Sequence, residues 1–200
     1  MLRSSAEPRA VLVLFAAVLA LGVGLEIGGT PALDPWLSRI AAAGRAQSGF
    51  WLALSMVGKG EIVAAITLLA AGMLAIRRQG RRALVLVLTV AAQMAANPLL
   101  KLLFARTRPD LYTHLDRVFD LSYPSGHSAQ NACLYLSLAL LVHNRLGLLG
   151  IPLAILVGLS RVVLGVHWPT DVLGGWMEGT AFALLGAHVA KAKLATRRDP

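Results

Sequence analysis

Long apolar runs constrain the fold of this chain more than any other feature of its sequence. A helix needs about 20 predominantly apolar residues to cross the hydrocarbon core of a bilayer. Six runs of roughly this kind recur along the 200 residues, and we predict a membrane helix for each: residues 10–29, 51–76, 82–104, 126–143, 147–166 and 171–190. The sequence therefore predicts an all-α fold, a six-transmembrane-helix bundle that forms one integral membrane domain over residues 1–200. Residues 30–50 and 105–125 are predicted to be loops.

The composition agrees with a membrane protein and argues against the other classes open to a basic chain. Hydrophobic residues make up 56% of the chain and charged residues 14%, whereas soluble domains are about 25% charged. The net charge of +9 could indicate nucleic acid, but the basic residues lie between apolar runs and form no solvated stripe. We therefore expect membrane lipids and no nucleic acid as partners. The single cysteine, Cys133, excludes a disulfide framework and a cysteine-based metal site.

The distribution of basic residues predicts the orientation of the helices. Four arginines crowd into the short segment "IRRQGRRA" between the second and third predicted helices. Because such clusters remain in the cytoplasm, we expect both termini to be cytoplasmic and the functional site to face the periplasm or the cell exterior, in the plasma (inner) membrane. The N-terminal run also resembles a signal peptide, but no convincing cleavage site follows it, and we interpret it as a retained membrane helix. Several polar side chains then share the outer face: Lys101, Arg108, His127, Arg161, His167 and Asp171.

The first polar motif is "KLLFARTRP", Lys101 to Pro109, at the end of the third predicted helix. Lys101 and Arg108 are seven residues apart and are therefore predicted to share a helix face. Pro109 disfavours helical geometry at the preceding residue and marks the helix end. Two cations in this arrangement can hold an anion, although snorkelling interfacial cations would give the same pattern. Arg106 is a candidate rim cation for a second phosphate or a carboxylate.

The second motif is "YPSGHSA", which begins at Tyr123 and opens the fourth predicted helix. Pro and Gly favour a turn, Ser125 can cap the helix, and the backbone N–H groups near Gly126 point out of the helix N-terminus. Such an N-terminus can bind an anion, and His127 stands in its first turn. An ordinary capped turn with an interfacial histidine is the structural alternative.

The third motif is "SRVVLGVHWPTD", residues 160–171, between the last two predicted helices. Arg161 closes one helix, and His167 and Asp171 lie four residues apart at the start of the next. Asp171 can accept a hydrogen bond from one imidazole nitrogen of His167 and leave the other nitrogen free as a base or nucleophile. A structural His–Asp pair at a helix end is the alternative.

Together, three cations, two histidines and one carboxylate on one face favour a ligand with two or three negative charges. Arginine binds phosphate in a bidentate manner, and lysine adds a point charge. The spread negative charge of a phosphoryl-transfer transition state fits such a site. The sequence has no Asp/Glu cluster and no HExxH motif. We therefore expect no metal and no cofactor, and the cations would provide the electrostatic stabilisation.

The three motifs resemble the three-part signature of the type 2 phosphatidic acid phosphatases, which share their site with vanadium haloperoxidases. "KLLFARTRP", "PSGH" and "SRVVLGVHWPTD" match that signature in order and at every position, over about residues 101–171. The resemblance implies a membrane lipid phosphatase that acts on a lipid phosphate. It also implies that His167 forms a phosphohistidine intermediate, that Asp171 orients it, and that His127 protonates the leaving oxygen. The other signature residues would bind the phosphoryl oxygens: Lys101, Arg108, Ser125, Gly126 and Arg161.

The sequence leaves the substrate and two rival functions open. Candidate substrates are a polyprenyl diphosphate, phosphatidylglycerophosphate, phosphatidic acid and a lipid A phosphate. The short chain and compact loops resemble the small bacterial members of the family, and this resemblance favours the first. A vanadate-dependent haloperoxidase would use the same site but should be soluble. A non-enzymatic membrane protein that binds or transports an anion would keep the fold without using His167 as a nucleophile. The sequence indicates no oligomeric state.

Overall fold

The computed structural model describes residues 6–142 and 145–195, and this part of the chain contains helices and irregular connections but no strand. A 3-10 helix, Ala42–Gln47, connects the second and third α-helices. The α-helices of the described residues are α1 Ala6–Gly28, α2 Leu33–Ala41, α3 Ser48–Val57, α4 Gly60–Ile76, α5 Gly80–Phe104, α6 Gly126–Val142, α7 Arg145–Val163 and α8 Pro169–Ala195. The predicted all-α class is therefore confirmed.

Five of the predicted membrane helices correspond to single helices, α1, α5, α6, α7 and α8, whereas the second is broken. It divides at Gly58 into α3 and α4, and the helical segment 33–57 is bent by 47° from α4. The carbonyl oxygen of Gly58 accepts hydrogen bonds from the side-chain amides of Gln130 and Asn131, at 2.6 and 3.0 Å. These two donors from α6 satisfy a carbonyl that an uninterrupted helix would have bonded internally.

The prediction of a loop over residues 30–50 is wrong, because α2 and the 3-10 helix occupy most of it. The nine residues of α2 are too few to read as a membrane helix, and two polar side chains, Asp34 and Ser38, form its buried face. A helix that buries polar rather than apolar side chains carries no hydropathy signal. The second predicted loop, 105–125, contains no helix.

The helices differ in their fitness to cross a membrane. By length and apolar composition, α1 and α5 can each do so, and the bent pair that ends in α4 could supply a third span. Within the described residues α6 spans 17 residues, and α8 carries Asp171 and Glu178. Large apolar side chains are nevertheless exposed around the described bundle, among them Leu69 (72%), Ile76 (86%) and Leu102 (71%). Exposed apolar surface of this extent indicates contact with lipid, and the protein is a membrane protein.

Close packing of α6 against α8 brings two of the sequence motifs together. Gly175 and Gly179 of α8 lie against the backbone of Ser125 and Ala129, where a side chain on either glycine would overlap it. Small residues allow helix backbones to approach in this way. At the top of the contact, the N–H of Ser125 donates to the carbonyl oxygen of Asp171 at 3.0 Å. The starts of α6 and α8 are therefore fixed side by side.

Candidate active site

A cavity of about 650 Å³ lies between the starts of α4 and α6, the ends of α5 and α7, and the loop that joins α5 to α6. Six of the eight predicted site residues line it: Lys101, Arg108, Gly126, His127, Arg161 and His167. The other two, Ser125 and Asp171, are fully buried and lie outside its wall. Residues from all three motifs thus meet at one cavity.

Each of the three motif cations contacts a carboxylate of the loop between α5 and α6. Asp120 pairs with Lys101, at 3.1 Å between Nζ and Oδ2, and also with Arg108. Asp116 pairs with Arg161, at 2.5 Å between Oδ2 and Nη1. All five residues line the cavity, and the Asp120 side chain is 59% exposed. We call these five residues the open cluster.

The carboxylates of the open cluster are ionised at neutral pH. Burial alone would raise the pKa of Asp120, but the charges of Lys101 and Arg108 outweigh it and hold that pKa below its usual value. Burial would likewise raise the pKa of Asp116, and it is outweighed by hydrogen bonds, the one from Arg161 above all. Ionised carboxylates therefore occupy the positions around the cations that an anionic ligand would take.

The imidazole of His167 lies between cations on one side and a carboxylate on the other. Its Nε2 is 3.2 Å from Nη1 of Arg108, and its Nδ1 is 3.4 Å from both Oδ2 of Asp171 and Oγ of Ser122. The contact with Asp171 is thus longer than a typical hydrogen bond, as catalytic contacts often are without substrate. Burial, followed by the charge of Arg108, lowers the pKa of His167. The imidazole is therefore neutral at pH 7, and because the Arg108 guanidinium can only donate, the lone pair lies on Nε2 and the proton on Nδ1.

A second group of charges surrounds Asp171 in the protein interior. Oδ1 of Asp171 accepts a hydrogen bond from Arg106 at 2.5 Å, and Oδ2 accepts one from the Ser122 hydroxyl at 2.5 Å. Arg106 also pairs with Asp34 at 2.7 Å, and Asp34 accepts a bond from the Thr170 hydroxyl at 2.6 Å. Both carboxylates are 0% exposed, and the Arg106 side chain is 8% exposed. We call these five residues the closed cluster.

Two expectations about the first motif are wrong. α5 ends at Phe104, so Arg108 lies beyond the helix and shares no helix face with Lys101, although both side chains reach the same carboxylate, that of Asp120. Arg106 is no rim cation, because it is buried between two carboxylates and does not line the cavity. The cause of both is Ala105, whose left-handed backbone, φ 44°, ends the helix and redirects the chain.

His127 has a buried nitrogen that the described residues leave unsatisfied. Its Nε2 is inaccessible to solvent and has no hydrogen-bond partner among them, while the residue lines the cavity. Buried polar atoms are nearly always hydrogen-bonded, so an exception needs an explanation. An oxygen atom of a ligand in the cavity would supply the missing partner.

The start of α6 places Gly126, but not the side chain of Ser125, at the cavity. A Cβ atom on Gly126 would lie 3.0 Å from Oδ1 of Asn97, so glycine permits this close approach. The Ser125 hydroxyl accepts a hydrogen bond from the Ser128 hydroxyl at 3.0 Å. Contact between Ser125 and a phosphoryl oxygen therefore stays a prediction.

Sequence reasoning missed one further buried carboxylate. Glu178 of α8 is 0% exposed and accepts hydrogen bonds from Gln93 at 3.0 Å and Asn97 at 2.8 Å. Since both amides line the cavity, Glu178 fixes part of its polar wall. A carboxylate among apolar residues of a predicted membrane helix is the sequence feature that could have identified it. Across residues 6–142 and 145–195, no three His, Cys, Asp or Glu side chains are grouped as metal ligands.

A helical membrane bundle with cations and two histidines at one cavity defines the general class, a membrane protein with a site for an anionic group. Comparisons with known proteins define it further. The family model of the PAP2 superfamily matches residues 82–194. The chain is 30% identical to the undecaprenyl-diphosphatase of Sulfolobus acidocaldarius over 147 residues, which cover 71% of this chain and 70% of that protein.

Two comparisons involve Bacillus subtilis. The chain is 32% identical to phosphatidylglycerophosphatase B over 183 residues, which cover 83% of this chain and 87% of that protein. The crystal structure of a transmembrane PAP2 type phosphatidylglycerolphosphate phosphatase matches with a TM-score of 0.77 at 27% identity, over 94% of this chain and 97% of that chain. The chain belongs to the PAP2 superfamily. It is an enzyme of the phosphoric ester hydrolase class.

Proposed function

We propose that this protein is an integral membrane lipid phosphatase that hydrolyses a phosphomonoester or diphosphate of a membrane lipid through a phosphohistidine intermediate. One observation carries the proposal. Lys101, Arg108 and Arg161 converge with two histidines on one cavity, and the present partners of these cations are loop carboxylates. A phosphoryl group is the ligand class that matches three such cations.

In the proposed reaction, the phosphoryl oxygens replace the loop carboxylates on the three cations. Nε2 of His167 attacks phosphorus, and the bond to the lipid oxygen breaks as His127 gives that oxygen a proton. A water molecule then loses a proton to His127 and attacks phosphorus, which breaks the P–N bond and releases phosphate. The cations hold the charge that spreads over the equatorial oxygens during both transfers.

The remaining signature residues have supporting roles in this proposal. Asp171 orients His167 through Nδ1 and stabilises the positive charge that the imidazole gains on attack. The backbone at Gly126 and the hydroxyl of Ser125 bind a phosphoryl oxygen at the start of α6. No metal or cofactor takes part, and this is a prediction that activity in a chelator tests.

We also propose six membrane spans, with both termini in the cytoplasm and the active site at the outer face of the plasma membrane. The geometry of α5 supports this orientation. Its 25 residues correspond to about 37 Å of helix. Arg81 and Arg82 lie at its start, and Lys101 lies near its end. The arginine cluster and the active site are thus at opposite ends of one membrane-length helix.

The surroundings of the cavity support a lipid as the substrate. Leu99, Leu102 and Leu103 are exposed beside Lys101 on α5, so acyl or prenyl chains could remain in the bilayer while the headgroup enters. Two more cations, Lys59 and Arg117, line the cavity beyond the open cluster and would suit a second phosphate. We therefore favour a polyprenyl diphosphate over phosphatidylglycerophosphate, phosphatidic acid and a lipid A phosphate.

The test is phosphate release by the detergent-purified protein in EDTA, across a panel of those four lipids. His167→Ala should lower the rate by at least about 10³-fold, since removal of a nucleophile leaves only binding and electrostatic effects. His114→Ala is the matched control, because among residues 6–142 and 145–195 this exposed histidine has one hydrogen-bond partner, the Pro109 carbonyl. Release that survives EDTA and disappears in His167→Ala alone would support the proposal, and the ranking of lipids would identify the substrate class.

Equal release by His167→Ala and wild type would contradict the histidine mechanism. Absence of release from every lipid, combined with saturable binding of inorganic phosphate, would favour the alternative of a non-enzymatic anion-binding or transport protein of the same fold.

A further inference from the structure

The closed cluster surrounds the carboxylate of Asp171 with residues that lie outside the sequence signature. Resting on the function proposed above, we infer that Arg106 and Asp34 are positioning residues that hold the carboxylate of Asp171 in place behind His167. Arg106 lies two residues before the signature residue Arg108, and Asp34 lies in α2.

The hydrogen bonds of Asp171 show why Arg106 matters. Oδ2 accepts the Ser122 hydroxyl at 2.5 Å and the Trp168 N–H at 2.8 Å. Among the described residues, Oδ1 has one side-chain donor, Arg106. Because the carboxylate is 0% exposed, removal of that cation would leave a buried charge without compensation. The carboxylate would then turn or take up a proton, and either change weakens its hold on Nδ1 of His167.

Asp34 in turn fixes Arg106. Its Oδ2 accepts the Nη2 of Arg106 at 2.7 Å, and its Oδ1 accepts the backbone N–H of Thr170 at 3.0 Å. The guanidinium also lies over the Trp168 ring, 5.7 Å from the ring centroid. The planar fork of arginine can bridge two carboxylates at once, which a lysine ammonium cannot do in the same geometry. α2 is therefore tied to the first turn of α8 through the cation that orients Asp171.

The charges of the closed cluster suit the reaction step. Arg106 and Asp34 fix the carboxylate of Asp171 on the Nδ1 side of the His167 ring. In the proposed attack, the His167 ring becomes positively charged when Nε2 bonds to phosphorus. A fixed negative charge behind Nδ1 stabilises that ring in the transition state more than in the neutral ground state, and this is the condition for an effect on kcat.

The test compares Arg106→Gln, Arg106→Lys and Asp34→Asn with wild type in full steady-state kinetics. We expect Arg106→Gln to lower kcat by about 10- to 100-fold, the range typical of residues that orient a reacting group, while KM changes by less than about threefold because the open cluster is intact. Arg106→Lys should recover part of kcat, since it keeps the charge. Arg45→Gln is the matched control: Arg45 also lies at this end of the bundle, but it bonds the carbonyls of Val163 and Thr113, and kcat should not change.

A readout independent of turnover separates this inference from the proposed function. Nitrogen NMR of the imidazoles reports which ring nitrogen carries the proton, and the signals of His167 are those that disappear in His167→Ala. We expect the proton on Nδ1 in wild type and a mixture of tautomers in Arg106→Gln. If wild type releases no phosphate, the proposed function fails while the tautomer measurement still tests the positioning. An unchanged tautomer together with wild-type kcat per folded molecule would overturn the inference. Should Arg106→Gln fail to fold, the isosteric Asp34→Asn carries the same comparison.

Discussion

Two clusters of basic side chains and aspartates lie on either side of His167 and differ in the exposure of their carboxylates. In the open cluster, Asp120 is 59% exposed and pairs with two cavity-lining cations. In the closed cluster, Asp34 and Asp171 are 0% exposed and share one guanidinium. The same ion-pair chemistry thus gives a replaceable contact at the cavity and a fixed contact in the interior. Exposure, more than residue type, decides which of the two can bind a ligand.

The largest contrast should appear in stability. Asp34→Ala leaves Arg106 buried with one carboxylate fewer, and we expect a loss of about 3–5 kcal/mol in the free energy of unfolding. Asp120→Ala removes a mostly exposed partner and should cost no more than about 1 kcal/mol. Denaturant titration of the two detergent-purified variants and wild type, all in one detergent, measures both losses. Equal losses would remove the distinction between the two clusters.

Binding should depend on the open cluster. Arg108→Gln removes a donor from the proposed phosphoryl site, and we expect kcat/KM to fall by about 10²- to 10³-fold. Inhibition by inorganic phosphate should weaken in parallel. Arg39→Gln, at an exposed position in α2, is the control that should retain wild-type kinetics. Full phosphate inhibition in Arg108→Gln would place the anion site elsewhere.

The pH dependence should reflect the position of His167 between the clusters. Burial and the neighbouring cations, Arg108 first, lower its pKa, and only the neutral imidazole can attack phosphorus. Loss of activity through protonation of His167 should therefore occur below pH 6.5, the usual pKa of histidine. A profile of kcat/KM from acid to neutral pH tests this. A fall of kcat/KM toward acid pH that is assigned to His167 and has its midpoint above pH 6.5 would contradict the geometry.

The smallest effect should come from removing the carboxylate that competes with phosphate for Lys101 and Arg108. Asp120→Asn removes a carboxylate that a phosphate must displace, so inorganic phosphate should inhibit about two- to fivefold more tightly, as expected for an exposed pair of up to about 1 kcal/mol. Asp110→Asn, an exposed aspartate of the same loop, should leave the inhibition constant unchanged. Weaker inhibition in Asp120→Asn would mean that the carboxylate organises the cations rather than competing for them.

The two clusters also differ in how far the sequence could predict them. The signature residues at the cavity stand at fixed spacings in three motifs, and five long apolar runs correspond to single helices. The pairing of Arg106 with Asp34 could not be predicted, because it joins segments 72 residues apart and depends on the turn at Ala105. The break at Gly58 also depends on contacts that are distant in sequence, because the two amides that satisfy its carbonyl come from α6. The sequence therefore could not predict it.

The membrane helices show the same limit. α1 and α5 are long and apolar enough to cross a membrane and expose large apolar side chains, whereas α8 holds its polar side chains inside the bundle. Glu178 lowers the apolar character of α8 even though Gln93 and Asn97 satisfy it. Hydropathy thus reports the exposure of a helix to lipid, whereas burial against α6 decides where α8 lies.

The most direct test of the account is to identify the residue that carries the phosphoryl group during turnover. The purified protein, in EDTA, would be mixed with a lipid labelled in its terminal phosphate, quenched in base within one turnover, digested and mapped. We predict an acid-labile, base-stable label on His167 that is absent in His167→Ala and present in His114→Ala. Turnover with the label on another residue, or with no covalent label under conditions that trap a phosphohistidine standard, would contradict the central role of His167 between the two clusters.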